Sequence, residues 1–235
     1  MSKIFHKIID EQIKSWELES SFKNKIITPK GDPFPVITIS REFGARGAAL
    51  ALLMGEGIGF KVWDRDILQT IAKKLGSSEK YLESLDENRR ILIEDVVVGL
   101  MKNVNTNVNY LRTLTRLIRT IEYHGNAIIV GRGANYICRD PHSFHVRIVS
   151  PIEKRAEGYS SRQGITKAEA FSIINKTDAE RAEFVRYYFK NEISKASDYD
   201  LVLNSGIFSL QEMMKIIVEA YEQKSELKLE RLSYS

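Results

Sequence analysis

Five short aliphatic or β-branched runs, each followed by a stretch with helical spacing, leave this chain few architectures. Val36-Ile37-Thr38-Ile39-Ser40, Gly59–Trp63, Ala127–Val130, His145–Val149 and Asp200–Leu203 are too short for helices and are bounded by Gly, Pro, Asp or Asn. Between them the apolar residues recur every three or four positions. Ala48–Met54 reads as a small helix closed by Gly55. Asp64 caps a helix whose face is Ile67, Leu68, Ile71 and Leu75, ending at Gly76. Two further helices are predicted over about 89–102 and 109–124, joined by the asparagine-rich loop 103–109. Ser150-Pro151 opens a region, 151–197, that is mostly helical, and Ser209 caps a last helix to about Gln223. Strands alternating with helices in this way predict a parallel α/β sheet rather than a sandwich or a bundle. No internal repeat is visible.

Residues 1–30 stand apart. Ile4, Phe5, Ile8, Ile9 and Ile13 recur at helical spacing among charges, and the linker Thr28-Pro29-Lys30-Gly31-Asp32-Pro33 follows. Such a helix either packs on its own domain or forms a homodimer contact. The length, 235 residues, suits one globular domain with an appendage. Lys+Arg 35 against Asp+Glu 31 gives +4 spread along the chain, which permits an anionic ligand without the concentrated basic patch of a nucleic-acid reader. Cys138 is the sole cysteine, so an internal disulfide framework and a cysteine-cluster zinc site are excluded, and its expected role is a small buried apolar residue. His6, His124, His142 and His145 show no zinc spacing. With no apolar run long enough for a membrane span and a charged N-terminus, a cytoplasmic protein without membrane or nucleic-acid partners is expected.

In an open parallel sheet, ligands bind beyond the carboxyl ends of the strands. Ser40-Arg41-Glu42-Phe43-Gly44-Ala45-Arg46-Gly47 follows the first strand, Asp64-Arg65-Asp66 the second and Gly131-Arg132-Gly133 the third. Each delivers an arginine to one edge, where the group either pairs with a neighbouring acid or joins an anion site. Gly44 and Gly47 permit a sharp turn that exposes backbone N–H groups at the start of a helix, which is how a phosphate is cradled. A Walker-type loop would end in Lys and then Ser or Thr; here Gly47-Ala48-Ala49 stands in their place. Arg41 and Arg46 are the candidate replacements for that charge. Arg155, Tyr159 and Arg162 share one helical face, and Asp178 can pair with Arg181 at i, i+3. Arg112, Arg116 and Arg119 precede a strand and read as an exposed face.

Ile37–Gly44, Trp63-Asp64-Arg65-Asp66-Ile67-Leu68 and Val130–Ile137 together resemble the cytidylate kinase-like family of P-loop nucleoside monophosphate kinases. The likeness continues through Arg162-Gln163-Gly164-Ile165, Asp178–Arg181 with Tyr187-Tyr188, and Tyr199–Asn204, covering about residues 34–222. The resemblance implies a three-layer P-loop NTPase-type fold over 34–224: a five-stranded parallel sheet flanked by helices, a helical acceptor-binding insertion at 77–125 and a helical lid at 151–197. Residues 225–235 would be a tail. It implies ATP with magnesium as donor. Ser40, Arg41, Gly44, Ala45, Arg46, Gly47 and Ala48 would line its phosphates, and Asn204-Ser205-Gly206 would lie near its base. Asp64, Arg65 and Arg132 would face a CMP- or dCMP-like acceptor, or a related small one. Arg155, Arg162 and Arg181 would be lid arginines. Arg46, Arg132, Arg162 and Arg181 would carry the phosphoryl transfer. The altered loop gives a rival reading, a catalytically impaired nucleotide-binding regulatory protein.

Overall fold

A computed structural model describes residues 11, 14, 36–65, 68, 87–101, 108–226 and 228–229. The expected N-terminal helix, most of the helix beginning at Asp64, the body of the 103–109 loop and most of the tail lie outside these residues. The chain divides into two compact units, one holding residues 35–64 and 126–235, the other holding the described part of 65–125.

The first unit is built on five parallel strands, β1 (Val36–Arg41), β2 (Lys61–Trp63), β3 (Ala127–Val130), β4 (Ser143–Val149) and β5 (Leu201–Asn204). Their order is β2-β3-β1-β4-β5, so β1 lies centrally between β3 and β4 where the strand order reverses. Helix α1 (Gly47–Ile58) and the last helix, α7 (Leu210–Ser225), pack on one face. There Ile37, Ile39, Val146, Ile148, Leu50, Met54, Met213, Ile217 and Tyr221 form the main core. Alternate residues of the same strands point the other way, and on that face Thr38, Ser40, His145 and Arg147 are polar.

Helix α1 overruns the stop expected at Gly55 and ends at Gly59, which takes φ 70°. Both Gly55 and Gly57 stay inside the helix for a packing reason. A Cβ at Gly55 would come within 2.6 Å of Val62, and one at Gly57 would collide with Met214. The bare backbone there lets β2 and α7 approach closely. Helices α5 (Ile152–Gln163) and α6 (Lys167–Phe189) form a packed pair, with Thr166 and Glu169 making a reciprocal capping box at the start of α6. A one-turn helix, α4 (Ala134–Ile137), follows the β3 turn, and Cys138 beyond it is buried as expected.

In the second unit, α2 (Glu87–Met101) and α3 (Val108–His124) pair, Ile93 and Val97 meeting Tyr123 and Met101. The reading of Arg112, Arg116 and Arg119 as one exposed face is corrected here. Arg116 makes a bidentate pair with Glu94 at 2.6 and 2.9 Å, and Arg119 is buried against Glu122 and over the Tyr123 ring. Acids one turn on, or on the facing helix, take the place of water as their partners.

His145 supplies a pH-dependent element of the first unit. Its Nδ1 lies 2.8 Å from Thr38 Oγ1, and its backbone N–H donates to Asp200 Oδ2. Burial lowers its pKa from 6.5 to about 4; Asp200 opposes that shift, while Lys224 and Arg139 add to it. The unfolded chain therefore takes up the proton first as pH falls. The stability that neutral His145 contributes is complete above about pH 6.5 and is lost on the way down to about pH 4. Allowing for partial exposure, the loss is roughly 2–3 kcal/mol. Urea midpoints should fall across this window in the wild type and much less in His145→Gln; parallel slopes would show that another group governs the acid limb.

Candidate functional site

The carboxyl end of β1 organises the site. Gly44 takes φ 84°, and Arg46 is held in the left-handed region at φ 62° immediately before α1, which no side chain caps. The first-turn amides of Gly47, Ala48 and Ala49 thus present the positive end of the helix dipole with no intrahelical acceptor. The ladder begins with Leu50 N donating to Arg46 O. Ala48, Ala49 and Arg46 are exposed, whereas Ala45 and Gly47 are buried. A Cβ at Gly47 would stand 2.8 Å from the Arg41 Cβ, and one at Gly131 would strike the Arg41 guanidinium. Arg41 therefore runs from the first loop to the β3 turn, bringing these two strand ends together as the sequence predicts.

That turn is unusual in its backbone. Gly131, Arg132 and Gly133 take φ 80°, 54° and 65° in succession. A left-handed arginine costs of order 1–2 kcal/mol, and Arg46 and Arg132 both bear that cost in loops at strand ends. Such strain persists where surrounding structure enforces it and gathers at functional sites. The Arg132 guanidinium lies 5.2 Å from the centre of the Phe184 ring on α6.

The three arginines expected in a lid, Arg155, Arg162 and Arg181, differ in their surroundings. Arg155 is only 8% exposed and fastens the first loop to the α5–α6 pair. Its Nε donates to Ser150 O at 2.8 Å, and its Nη1 donates to Phe43 O at 3.0 Å and Asp178 Oδ2 at 2.5 Å. Asp178 Oδ1 accepts from the Phe43 N–H at 2.7 Å, and Glu42 Oε2 accepts from Ser150 N at 2.9 Å. Arg181 donates to Arg41 O at 3.0 Å, sits over the Phe43 ring and lies 4.0 Å from Asp178, the i, i+3 partner expected from sequence. Arg162, in the last turn of α5, is exposed. Beyond β5, Asn204 Oδ1 accepts from Gly206 N, and Gly206 O accepts from Lys154 Nζ, so this turn is closed on itself and on α5. Asp64 ends the first unit's β2 segment and Arg65 belongs to the second unit.

Sequence reasoning missed Arg147, which lies beside Ser40 in the β1–β4 register and donates to Ser40 Oγ at 2.9 Å. A charged residue set between the aliphatic Val146 and Ile148 of a strand was the available signal. Among the described residues, no group of three His, Cys, Asp or Glu side chains is placed to hold a metal ion, and no helix is long and apolar enough to cross a membrane.

A family model described as the cytidylate kinase-like family matches residues 36–207, from β1 through β5 and including every loop described above. The chain belongs to the cytidylate kinase-like family. Among curated proteins of this name, the cytidylate kinase of Pyrococcus horikoshii is 25% identical over 188 residues, covering 80% of this chain and 88% of the relative. A uronate isomerase of Corynebacterium glutamicum is 22% identical over 177 residues; the match covers 73% of this chain and spans only 34% of that longer protein. In structure, an uncharacterized protein from Eubacterium ventriosum superposes with TM-score 0.60 at 19% identity, over 80% of this chain and 98% of that one. The cytidylate kinase-like chain thus has the α/β P-loop NTPase-type fold, a five-stranded parallel sheet flanked by helices.

Proposed function

We propose that this chain transfers a phosphoryl group from ATP to a small phosphorylated acceptor, a CMP- or dCMP-like nucleoside monophosphate first among them. The observation that carries the reading is the meeting, at the end of β1, of the uncapped α1 amides with Arg46 and the Gly131-Arg132-Gly133 turn. Amides and dipole suit a polyphosphate, and the loop residues from Arg41 to Ala48 would line it, the Ser40 hydroxyl being engaged by Arg147. Arg132, with Asp64, would face the acceptor. An acceptor phosphate is already ionised, so no general base is required. Arg46, Arg132, Arg162 and Arg181 would offset charge as the phosphoryl group moves, the exposed Arg162 arriving as the lid closes. Magnesium, when bound with the donor, supplies further neutralisation of the phosphates. The loop offers it no Ser or Thr hydroxyl, and Glu42 is engaged with Ser150 and Arg155, so the described residues suit the donor phosphates better than the ion.

A catalytically silent nucleotide sensor is the second reading, favoured by one contact. The Phe43 amide, which a phosphate loop would turn towards its ligand, donates to Asp178 instead. Incubation of the purified protein with ATP, magnesium and CMP, dCMP or UMP distinguishes the two. Diphosphate product supports the transferase, and absence of turnover with every acceptor rejects it. Calorimetric ATP binding that persists without magnesium, with no product, supports the sensor. Arg46→Gly sharpens the test, because glycine relieves the left-handed strain while removing the charge. Stability should hold or rise by about 1 kcal/mol, while kcat falls by about 100-fold. An unchanged kcat would remove Arg46 from the mechanism.

A further inference from the structure

On the face of the sheet opposite α1 and α7, Arg147 is 6% exposed, yet no carboxylate among the described residues lies within ion-pair distance of it. Its protein contacts are the Ser40 hydroxyl and the ring of Tyr199, whose centre is 5.7 Å from the guanidinium. Guanidinium groups in proteins stay charged and offer five donors. One neutral hydroxyl and an aromatic face leave such a group poorly compensated, and burying an uncompensated charge costs several kcal/mol. An aliphatic residue, as at Val146 and Ile148 on either side, would fill a strand position at no such cost.

The neighbouring polar atoms share this lack of partners. Tyr199 Oη lies 3.3 Å from Ser40 Oγ and donates to Ile193 O at 2.8 Å. Beside it is Tyr136, 8% exposed, whose hydroxyl has no hydrogen-bond partner of good geometry although Tyr199 and Asn135 are near enough to perturb it. Burial, reinforced by Tyr199, pushes that phenol far above its ordinary pKa, so it stays a neutral donor. Asn135 Nδ2 and Asp198 Oδ2 are also buried without partners. Buried polar groups are nearly always paired, and three such exceptions beside Tyr199 call for an explanation.

We propose that Arg147, with Ser40 and Tyr199, is the receptor for an oxyanion carried by the acceptor, and that Tyr136, Asn135 and Asp198 bind hydroxyl or amino groups of the same molecule. The ligand class is a phosphate monoester of a hydroxylated small molecule. The cation and the Ser40 and Tyr199 hydroxyls satisfy the oxyanion, the Asn135 amide and Tyr136 phenol donate to hydroxyl oxygens, and the Asp198 carboxylate oxygen accepts from a hydroxyl or amino group. The position agrees: Ser40 and Arg147 lie one and two residues from the ends of β1 and β4, where the strand order reverses. Asn135 and Tyr136 follow directly on the Arg132 turn. This inference rests on the transferase reading and deepens it by naming Arg147, Ser40 and Tyr199 as the groups that hold the acceptor's oxyanion.

Calorimetry on the full chain tests it, with CMP, UMP and inorganic phosphate against cytidine and uridine. The wild type should prefer CMP over cytidine by about 100-fold. Arg147→Met should abolish most of that preference, Arg147→Lys should retain part of it, and ATP binding should be unchanged in both. The ligand-free Tm of Arg147→Met should not fall, because the variant removes an uncompensated charge. Tyr136→Phe, which deletes only the partnerless hydroxyl, should keep its ligand-free Tm and bind CMP about 10-fold more weakly. The proposal is overturned if Arg147→Met keeps the preference for CMP, if its ligand-free Tm drops steeply while Tyr136→Phe binds CMP normally, or if neither nucleotide nor phosphate binding depends on Arg147. Binding that depends on Arg147 without any phosphoryl transfer would sink the transferase reading alone.

Discussion

Arg155→Met should unfold the first loop's support at a cost of roughly 3 kcal/mol. The substitution leaves Asp178 and Glu42 facing each other without their cation and deprives the Phe43 and Ser150 carbonyls of a donor. The cost stays at the lower end for a broken buried pair because the two carboxylates remain 27% and 25% exposed and can recruit water. The loop at Gly44 has little room to adjust, since a Cβ there would already stand 3.2 Å from the Arg155 Cβ. Urea unfolding should show the loss directly, and ATP affinity should fall with it. Arg162→Ala should behave in the opposite way, with stability unchanged and kcat reduced by about 100-fold if the lid arginine meets the migrating phosphoryl group. Equal stability losses in the two variants would contradict this division.

That division also shows where sequence reasoning stopped. Arg155 and Arg162 share a helical face by spacing, and spacing cannot say that the face changes from buried to exposed along two turns. The deciding contact is Asp178, far along the chain on α6, whose carboxylate reaches both the Phe43 amide and Arg155. Strands fared better. β3 occupies the residues expected and β1 extends one residue beyond its expected end, because unbroken β-branched runs bounded by Gly, Pro or Asp carry their own limits. β4 begins two residues earlier than expected, at Ser143, where pairing with Val36 extends the ladder through a residue that is polar. Helix α1 was cut short at Gly55 because glycine is read as a stop, whereas here it admits the side chains of Val62 and Met214. Spacing alone puts Arg119 on an exposed face, whereas Glu122 one turn on pairs with it in the interior. For the candidate site, glycine spacing and the strand-end arginines name two loops that lie together beyond the ends of β1 and β3. The β1–β4 register that sets Arg147 beside Ser40 is a tertiary pairing that no local pattern contains.

Gly133→Ala should be among the most damaging single substitutions in the first unit. At φ 65° an alanine carries left-handed strain of about 1 kcal/mol, and its Cβ would fall within the ring of Phe189. That ring is buried and stacked on Tyr136 with centres 5.2 Å apart, and it also meets Phe184, which lies under Arg132. Phe189 cannot swing clear without displacing Tyr136 or the end of α6. Overpacking of this kind adds about 1–3 kcal/mol, for a total near 3 kcal/mol that should appear as a lowered Tm. The strain passes to both residues proposed to hold the acceptor, Arg132 through Phe184 and Tyr136 through the stack. CMP binding should therefore weaken more than ATP binding when measured below the transition. Loss of ATP affinity with CMP affinity intact would place the acceptor away from this turn. Phe189→Leu in the Gly133→Ala background should restore part of the Tm, because the shorter side chain vacates the space the new methyl group takes.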